Sequence, residues 1–167
     1  EAEELEETYE AYENYLLSIC RDGIPYQLIS KVIPSIEAAV NNILSQVVDF
    51  NVMLEVEGKN INGKIVYGED RLWPLELASG MEKFVSGLAI RVALMSVSSL
   101  PRSGFLIIDE GLGVLDAENL VSMSLLFNML KTEFDFLVLI SHLPIVRDIA
   151  DHLIDIKRKD DYSYINV

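Results

Sequence analysis

The sequence predicts an α/β fold with a parallel sheet, and three observations carry that prediction. Phe105, Leu106, Ile107 and Ile108 form a continuous apolar run that ends in Asp109-Glu110. Phe136 to Ile140 form a second such run, which ends in Ser141-His142, and a helical stretch through Lys131 lies between the two. Continuous rather than alternating apolar runs are expected of strands covered on both faces. Strand and helix in alternation imply parallel pairing with right-handed crossovers. Such strands deliver their last residues to the carboxyl edge of the sheet, where α/β folds bind ligands. Asp109 and Glu110 are expected to point to opposite sides there, so that one can serve a metal while its neighbour faces a reacting water. The alternative is a core strand that merely ends in two solvated acids.

With 167 residues, 50% of them hydrophobic, the chain has the size of one domain and enough apolar material for a real core. Apolar stretches are interrupted well before the roughly 18 to 20 residues of a membrane span, and no secretory signal opens the chain. The expected location is cytoplasmic. Cys20 is the single cysteine and has no partner for an internal disulfide; its place in the pattern suggests a buried helix residue. Thirteen basic against twenty-seven acidic residues give a net charge of −14, which opposes binding of a polyanion by the domain as a whole. Seven of the acids are Glu within the first fourteen residues, so half of the excess sits on one terminal segment.

That segment carries Leu5, Tyr9, Tyr12, Leu16 and Ile19 at alternating spacings of four and three, the seam of a coiled coil on a Glu-rich helix. An amphipathic helix packed on its own domain is the other reading. Gly23 and Pro25 end it. Ile29, Val32, Ile33, Ile36, Val40, Ile43, Leu44 and Val47 then define a core-facing helix over 26–48, kinked or restarted near Pro34. Phe50, Val52, Leu54 and Val56 alternate with polar residues and Met53, and Ile61 to Tyr67 follows a Gly-Lys-Asn turn, which predicts a β-hairpin. Gly58 to Ile65 within it fits most of a phosphate-binding P-loop, but Ile65 stands where a hydroxyl should reach Mg²⁺. A P-loop must also open a helix, whereas Ile65-Val66-Tyr67 continues as strand. Leu77 to Glu82 then opens a long helix with Ser79 and Glu82 in capping-box spacing. A Ser-capped helix N-terminus is at the same time an anion site, with free amides and a positive dipole end. After the acidic strand, Asp116 is placed to cap the next helix. A short helix after Pro144, a strand around His152 to Ile156 and a final strand from Tyr162 close the chain.

Taken together, these stretches resemble the carboxyl-terminal half of an ATP-binding-cassette head of the SMC kind, most like the SbcC family of DNA double-strand-break repair ATPases. Leu77-Ala-Ser-Gly-Met-Glu82 is similar to the ABC signature, Phe105 to Glu110 to a Walker B strand, Gly111 to Asp116 to the D-loop, and His142 to the switch histidine. The resemblance implies the carboxyl-terminal lobe of a P-loop NTPase-like head, with residues 1–22 ending a coiled coil and 23–167 forming the lobe. It implies ATP and Mg²⁺ as ligands, with Asp109 holding the metal, Glu110 positioning the lytic water and His142 sensing the γ-phosphate. Ser79, Gly80, Met81 and Glu82 would meet ATP held by a second head, and Gly113 and Asp116 would lie at the head-to-head interface. Implied partners are the amino-terminal half of the same head, the second head, an SbcD-like nuclease and DNA, with no membrane. The implied place is the cytoplasm, nucleoid-associated, or the host cytoplasm if the chain is viral.

Two residues depart from the family pattern. Met81 stands where a second Gly is usual, and Gly111-Leu-Gly-Val-Leu is an unusual D-loop. The P-loop, its Lys and the glutamine loop belong to the amino-terminal half, so the resemblance makes this chain half a site, inactive alone. A non-repair SMC head that tethers DNA and a hydrolysis-deficient interaction module of the same fold are the alternatives. Glu110 argues against the latter.

Overall fold

The computed structural model describes residues 2–20, 23–57, 60–110, 120–144 and 146–166. They form two compact units, Glu1–Leu100 and Pro101–Val167.

The first unit begins with helix α1 (Ala2–Ile19), whose seam residues Leu5, Tyr9, Tyr12, Leu16 and Ile19 are all exposed. An apolar stripe left in water is what a coiled-coil strand without its partner presents. Cys20, expected to be buried, is exposed just past this helix, because the helix it follows buries no face of its own. Helix α2 (Ile24–Leu44) starts with Pro25 in its first turn, where a missing N–H costs nothing, and runs through Pro34 without a break. Only its second half is core. Ile33, Ile36, Val40, Ile43 and Leu44 are buried, whereas Ile29 and Val32 remain exposed.

The predicted hairpin is strand β1 (Asn51–Glu57) paired antiparallel with β2 (Asn60–Tyr67), and a third strand, β3 (Arg71–Pro74), adds to β2. Glu37 and Asn41, one turn apart on α2, reach the free edge of β1. Glu37 Oε2 accepts from Leu54 N–H at 2.6 Å, and the Asn41 amide exchanges two hydrogen bonds with the Val52 backbone. Edge groups that could pair with another chain are thereby satisfied. A single-turn 3₁₀ segment, Leu75–Leu77, leads into helix α3 (Gly80–Val97). Val85, Leu88, Ala89, Val92 and Ala93 of α3 meet the buried half of α2, while Phe50, Val52 and Ile65 supply the sheet's share of the core. Lys64, the lysine of the P-loop-like stretch, lies within β2 and pairs with Glu55. That stretch is strand where it is described; Gly58 and Lys59 lie outside the described residues.

In the second unit, β4 (Phe105–Asp109) pairs parallel and in register with β5 (Phe136–Ile140), with α4 (Leu120–Glu133) between them in sequence. Met123, Leu126, Phe127 and Leu130 of α4 are fully buried, and α4 packs against β5. The strands differ from expectation in one respect. Their burial alternates: Leu106, Ile108, Leu137 and Leu139 are covered or partly covered. Phe105, Ile107, Phe136, Val138 and Ile140 face water, Phe105 at 57% and Phe136 at 71% exposure. The sequence pattern is that of a strand covered twice; within this unit the described residues cover one face. The short helix α5 (Val146–Ile149) follows, and β6 (Asp155–Lys159) and β7 (Tyr162–Asn166) form an antiparallel hairpin, the former beginning later than its sequence pattern indicated. No described helix is long and apolar enough to cross a membrane.

Candidate functional site

The sequence singles out two places, one in each unit. At the N-terminus of α3, Ser79 is the N-cap, with extended backbone angles, and its Oγ accepts from Glu82 N–H at 3.3 Å. Glu82 reaches back, its Oε2 accepting from Ser79 N–H at 2.7 Å, which completes the capping box. The other oxygen, Oε1, accepts a hydrogen bond from the Tyr67 hydroxyl at 2.8 Å. Burial pushes the Glu82 carboxyl up, but hydrogen bonds from Ser79 and Tyr67 outweigh it and hold the group below its ordinary value of 4.5. The Tyr67 phenol moves the opposite way, from 10.0 to about 12, through burial first and then through its bond to the Glu82 carboxylate. Ser79 and Gly80 are exposed and Met81 is half-buried. The first-turn amides of Gly80 and Met81 have no acceptor within the helix by its geometry and open outward with the positive end of the dipole.

The second place is the carboxyl tip of β4 and β5. Asp109 is the last residue of β4, opposite Ile140 in the ladder, and its side chain is exposed. Glu110 N–H donates to Ile140 O at 2.8 Å, so the parallel ladder extends one residue beyond the strand. There the backbone turns sharply: Glu110 has φ +53, in the left-handed region. A non-glycine residue held so costs on the order of 1–2 kcal/mol and needs its surroundings to hold it. The turn brings Glu110 Oε1 to 3.3 Å from His142 Nδ1, although 32 positions separate the two in sequence. Both side chains remain open to water, at 66% and 77% exposure. His142 lies two residues past β5, so the parallel register of β4 and β5 is what places it beside Glu110.

The fold thus brings Asp109, Glu110 and His142 to one strand-tip cluster, and Ser79, Gly80, Met81 and Glu82 to one helix end. Gly113 and Asp116 lie outside the described residues. Among the described residues no group of three His, Cys, Asp or Glu side chains converges on one point. Mg²⁺ does not need one, since it is commonly held by one or two carboxylates together with substrate phosphates and water. A single exposed carboxylate at a strand end, Asp109, fits that use. Sequence reasoning missed Tyr67 and the left-handed turn at Glu110. Neither has a local signal: the hydroxyl finds its partner 15 residues away through sheet packing, and Glu is not a residue type that announces positive φ.

No family model matches the chain. It is 33% identical over 170 residues to an uncharacterized protein of Acanthamoeba polyphaga mimivirus; the match covers 92% of this chain and 13% of that protein's length. Among solved structures it resembles one described under the structural biochemistry of ATP-driven dimerization and DNA-stimulated activation of SMC ATPases. There the TM-score is 0.69 at 18% identity, covering 84% of this chain and 88% of that one. The Smc head domain of Pyrococcus furiosus with an extended coiled coil, bound to the C-terminal domain of ScpA, matches with a TM-score of 0.67 at 19% identity, over 98% of this chain and 42% of that one. The SMC head domain from Thermotoga maritima matches at 26% identity with a TM-score of 0.58, covering 85% of this chain and half of the other. The chain therefore has the α/β fold of SMC ATPase heads, as their carboxyl-terminal lobe with the stub of a coiled coil.

Proposed function

We propose that this chain is the carboxyl-terminal half of an ATP-binding and hydrolysing head of an SMC-like protein, residues 1–22 ending a coiled-coil helix and 23–167 forming the lobe. The observation that carries the reading is the Glu110–His142 pair at the tip of a parallel strand pair, with Glu110 held in a left-handed turn. A carboxylate presented in this way can orient a water and accept its proton, and an imidazole beside it can register a phosphoryl oxygen. Asp109 is the residue that would hold Mg²⁺, which when bound neutralises charge on the phosphates. In this reading Ser79, Gly80, Met81 and Glu82 meet the γ-phosphate of ATP bound by a second head, through hydroxyl, amides and helix dipole. Gly113 and Asp116 fall at the interface between heads. The uncovered face of β4 and β5 awaits the amino-terminal half, which would also bring the P-loop and its lysine.

ATP-driven head dimerisation, the behaviour described for the SMC ATPases among the solved neighbours, is the expected output. The sequence resemblance to the SbcC family extends the proposal to DNA double-strand-break repair, with the heads regulating an SbcD-like nuclease at DNA ends. A second reading, an SMC head that tethers DNA, is favoured by the neighbours being SMC heads. A Cys-x-x-Cys zinc hook at the coiled-coil apex would support the first and a hinge domain the second. Both place the protein in a cytoplasm, nucleoid-associated or viral-host.

Calorimetry tests the half-site. The folded chain, checked by circular dichroism, should show no specific heat with Mg-ATP, and binding should appear when the amino-terminal half is added. Micromolar affinity for the chain alone would sink the proposal.

A further inference from the structure

Tyr67 has no part in the resemblance, yet it is the residue most closely engaged with the helix end that the proposed function uses. It is the last residue of β2 and lies on the same strand face as Ile65, which is fully buried two positions earlier. Its ring stacks on Trp73 at 5.3 Å and lies against Phe50 at 5.4 Å, so the phenol is gripped on two sides. The following turn, with Gly68 at φ +61, carries the chain into β3, where Arg71 opposes Tyr67 in the ladder. The hydroxyl donates to Glu82 Oε1, and Glu82 Oε2 accepts from the backbone N–H of Ser79. A rigid aromatic on a sheet is thus linked, through one carboxylate, to the backbone of the residue that opens α3.

A capping box needs only Ser and Glu. An exposed Glu at the third helical position explores several rotamers, and the Ser79 N–H is held only while Oε2 points back. The Tyr67 bond removes that freedom: with Oε1 tied to the sheet, the carboxylate plane and the Ser79 backbone share one arrangement. Hydrogen bonds to a charged acceptor are about twice as strong as neutral ones, so the restraint is substantial. The shifts of the two groups, the carboxyl down and the phenol up, agree with a neutral hydroxyl donating to an ionised acid.

We propose that Tyr67 is a positioning residue for the phosphate-facing end of α3, acting through Glu82 to fix the Ser79 hydroxyl and the adjoining amides in the orientation that a polyphosphate presented by another head would meet. The proposal rests on the functional reading above. It assigns to the sheet β1–β2–β3 the task of bracing that helix end, which nothing in the signature pattern itself provides.

The test is Tyr67→Phe in the complete head, this chain together with its amino-terminal half. Phe keeps the stacking on Trp73 and loses only the hydroxyl. Half-maximal dimerisation, followed by light scattering, should require on the order of tenfold more Mg-ATP, the size of effect expected from one hydrogen bond to a charged group. ATP binding to the variant's own P-loop should stay near wild type, and its melting temperature should fall by only about 2–4 °C, the size of roughly 1 kcal/mol in a domain of this length. A double-mutant cycle adds a readout that a purely structural role would not move: in a Glu82→Ala background, Tyr67→Phe should have no further effect on dimerisation. Wild-type dimerisation by Tyr67→Phe would overturn the proposal. So would an equal loss in the Glu82→Ala background, or a loss matched by a larger fall in melting temperature and by a fall in ATP binding to the same head. If the wild-type head itself fails to dimerise with Mg-ATP, the functional reading falls and this proposal falls with it, an outcome visible before any variant is compared.

Discussion

The N-terminus of α3 and the tip of β4–β5 are both ends of secondary structure that carry polar groups, but they are finished to different degrees. At the helix end every side chain of the box has its partner within the unit: Ser79 with Glu82, Glu82 with Tyr67, Tyr67 with its flanking aromatics. The supporting core of α2, α3 and the sheet is closed, with Val40, Leu44, Ile65, Val85 and Ala89 out of contact with water. At the strand tip Asp109 is exposed, the Glu110–His142 contact is long and open, and the face of the strands beneath it is bare. Under the proposed function, the difference teaches which surface would wait for what. A preassembled helix end is suited to receive a ligand carried by another molecule, whereas an unfinished strand tip is suited to be completed by chain that lies against it.

The strongest way to break this comparison is at the strand tip. Glu110→Gln in the complete head keeps size and polarity but removes the proton acceptor, so ATP hydrolysis should fall by on the order of 10² to 10⁴ while ATP-driven association persists. Unchanged turnover measured by phosphate release would remove Glu110 from the chemistry and leave its left-handed turn as a structural feature.

A smaller effect is expected at the helix end. Ser79→Ala deletes the cap and should cost about 1 kcal/mol of stability in thermal unfolding. No loss would show that Glu82 and Tyr67 hold the helix start without the serine.

The smallest effect is in pH. Glu82 has its carboxyl lowered by its partners, so its contribution is fully present above the unfolded value of 4.5 and is lost as pH falls through the lower folded value. Tyr67 is raised, so its contribution is present below 10.0 and lost as pH climbs toward about 12. Stability curves of wild type and Tyr67→Phe should therefore converge at both extremes. Curves that stay parallel would mean that the pair does not titrate with folding.

Legibility in the sequence followed the range of the interactions. The strand ending in Asp109-Glu110, the second strand ending in Ser141-His142, the hairpin and the capped helix at Ser79 are local patterns, readable from apolar runs and spacing, and each has its counterpart in the fold. What escaped depends on residues distant in sequence. Strand β3, only Arg71 to Pro74 and ending in the proline, is too short to show a period. The Tyr67–Glu82 bond exists because β2 passes beside α3. Phe105, Ile107, Phe136 and Val138 announce a strand covered twice, and Ile29 and Val32 announce a longer buried helix, yet all six are exposed. Apolar patterning records the cover a residue is meant to have, and the described residues supply only part of it. Cys20 was misjudged for the same reason, since its helix has no partner face here.

The most direct test of a head built from two complementary ends uses one variant from each, compared by mass in light scattering with and without Mg-ATP. Glu110→Gln leaves the helix end intact and should double the mass of the complete head on addition of Mg-ATP. Ser79→Asn keeps the ability to cap and should melt like wild type, but it sets greater bulk and a carbonyl oxygen against phosphate. It should bind ATP at its own P-loop and stay at the mass of one head. Equal dimerisation by the two variants would contradict the account, and would leave Ser79 as a helix cap and nothing more.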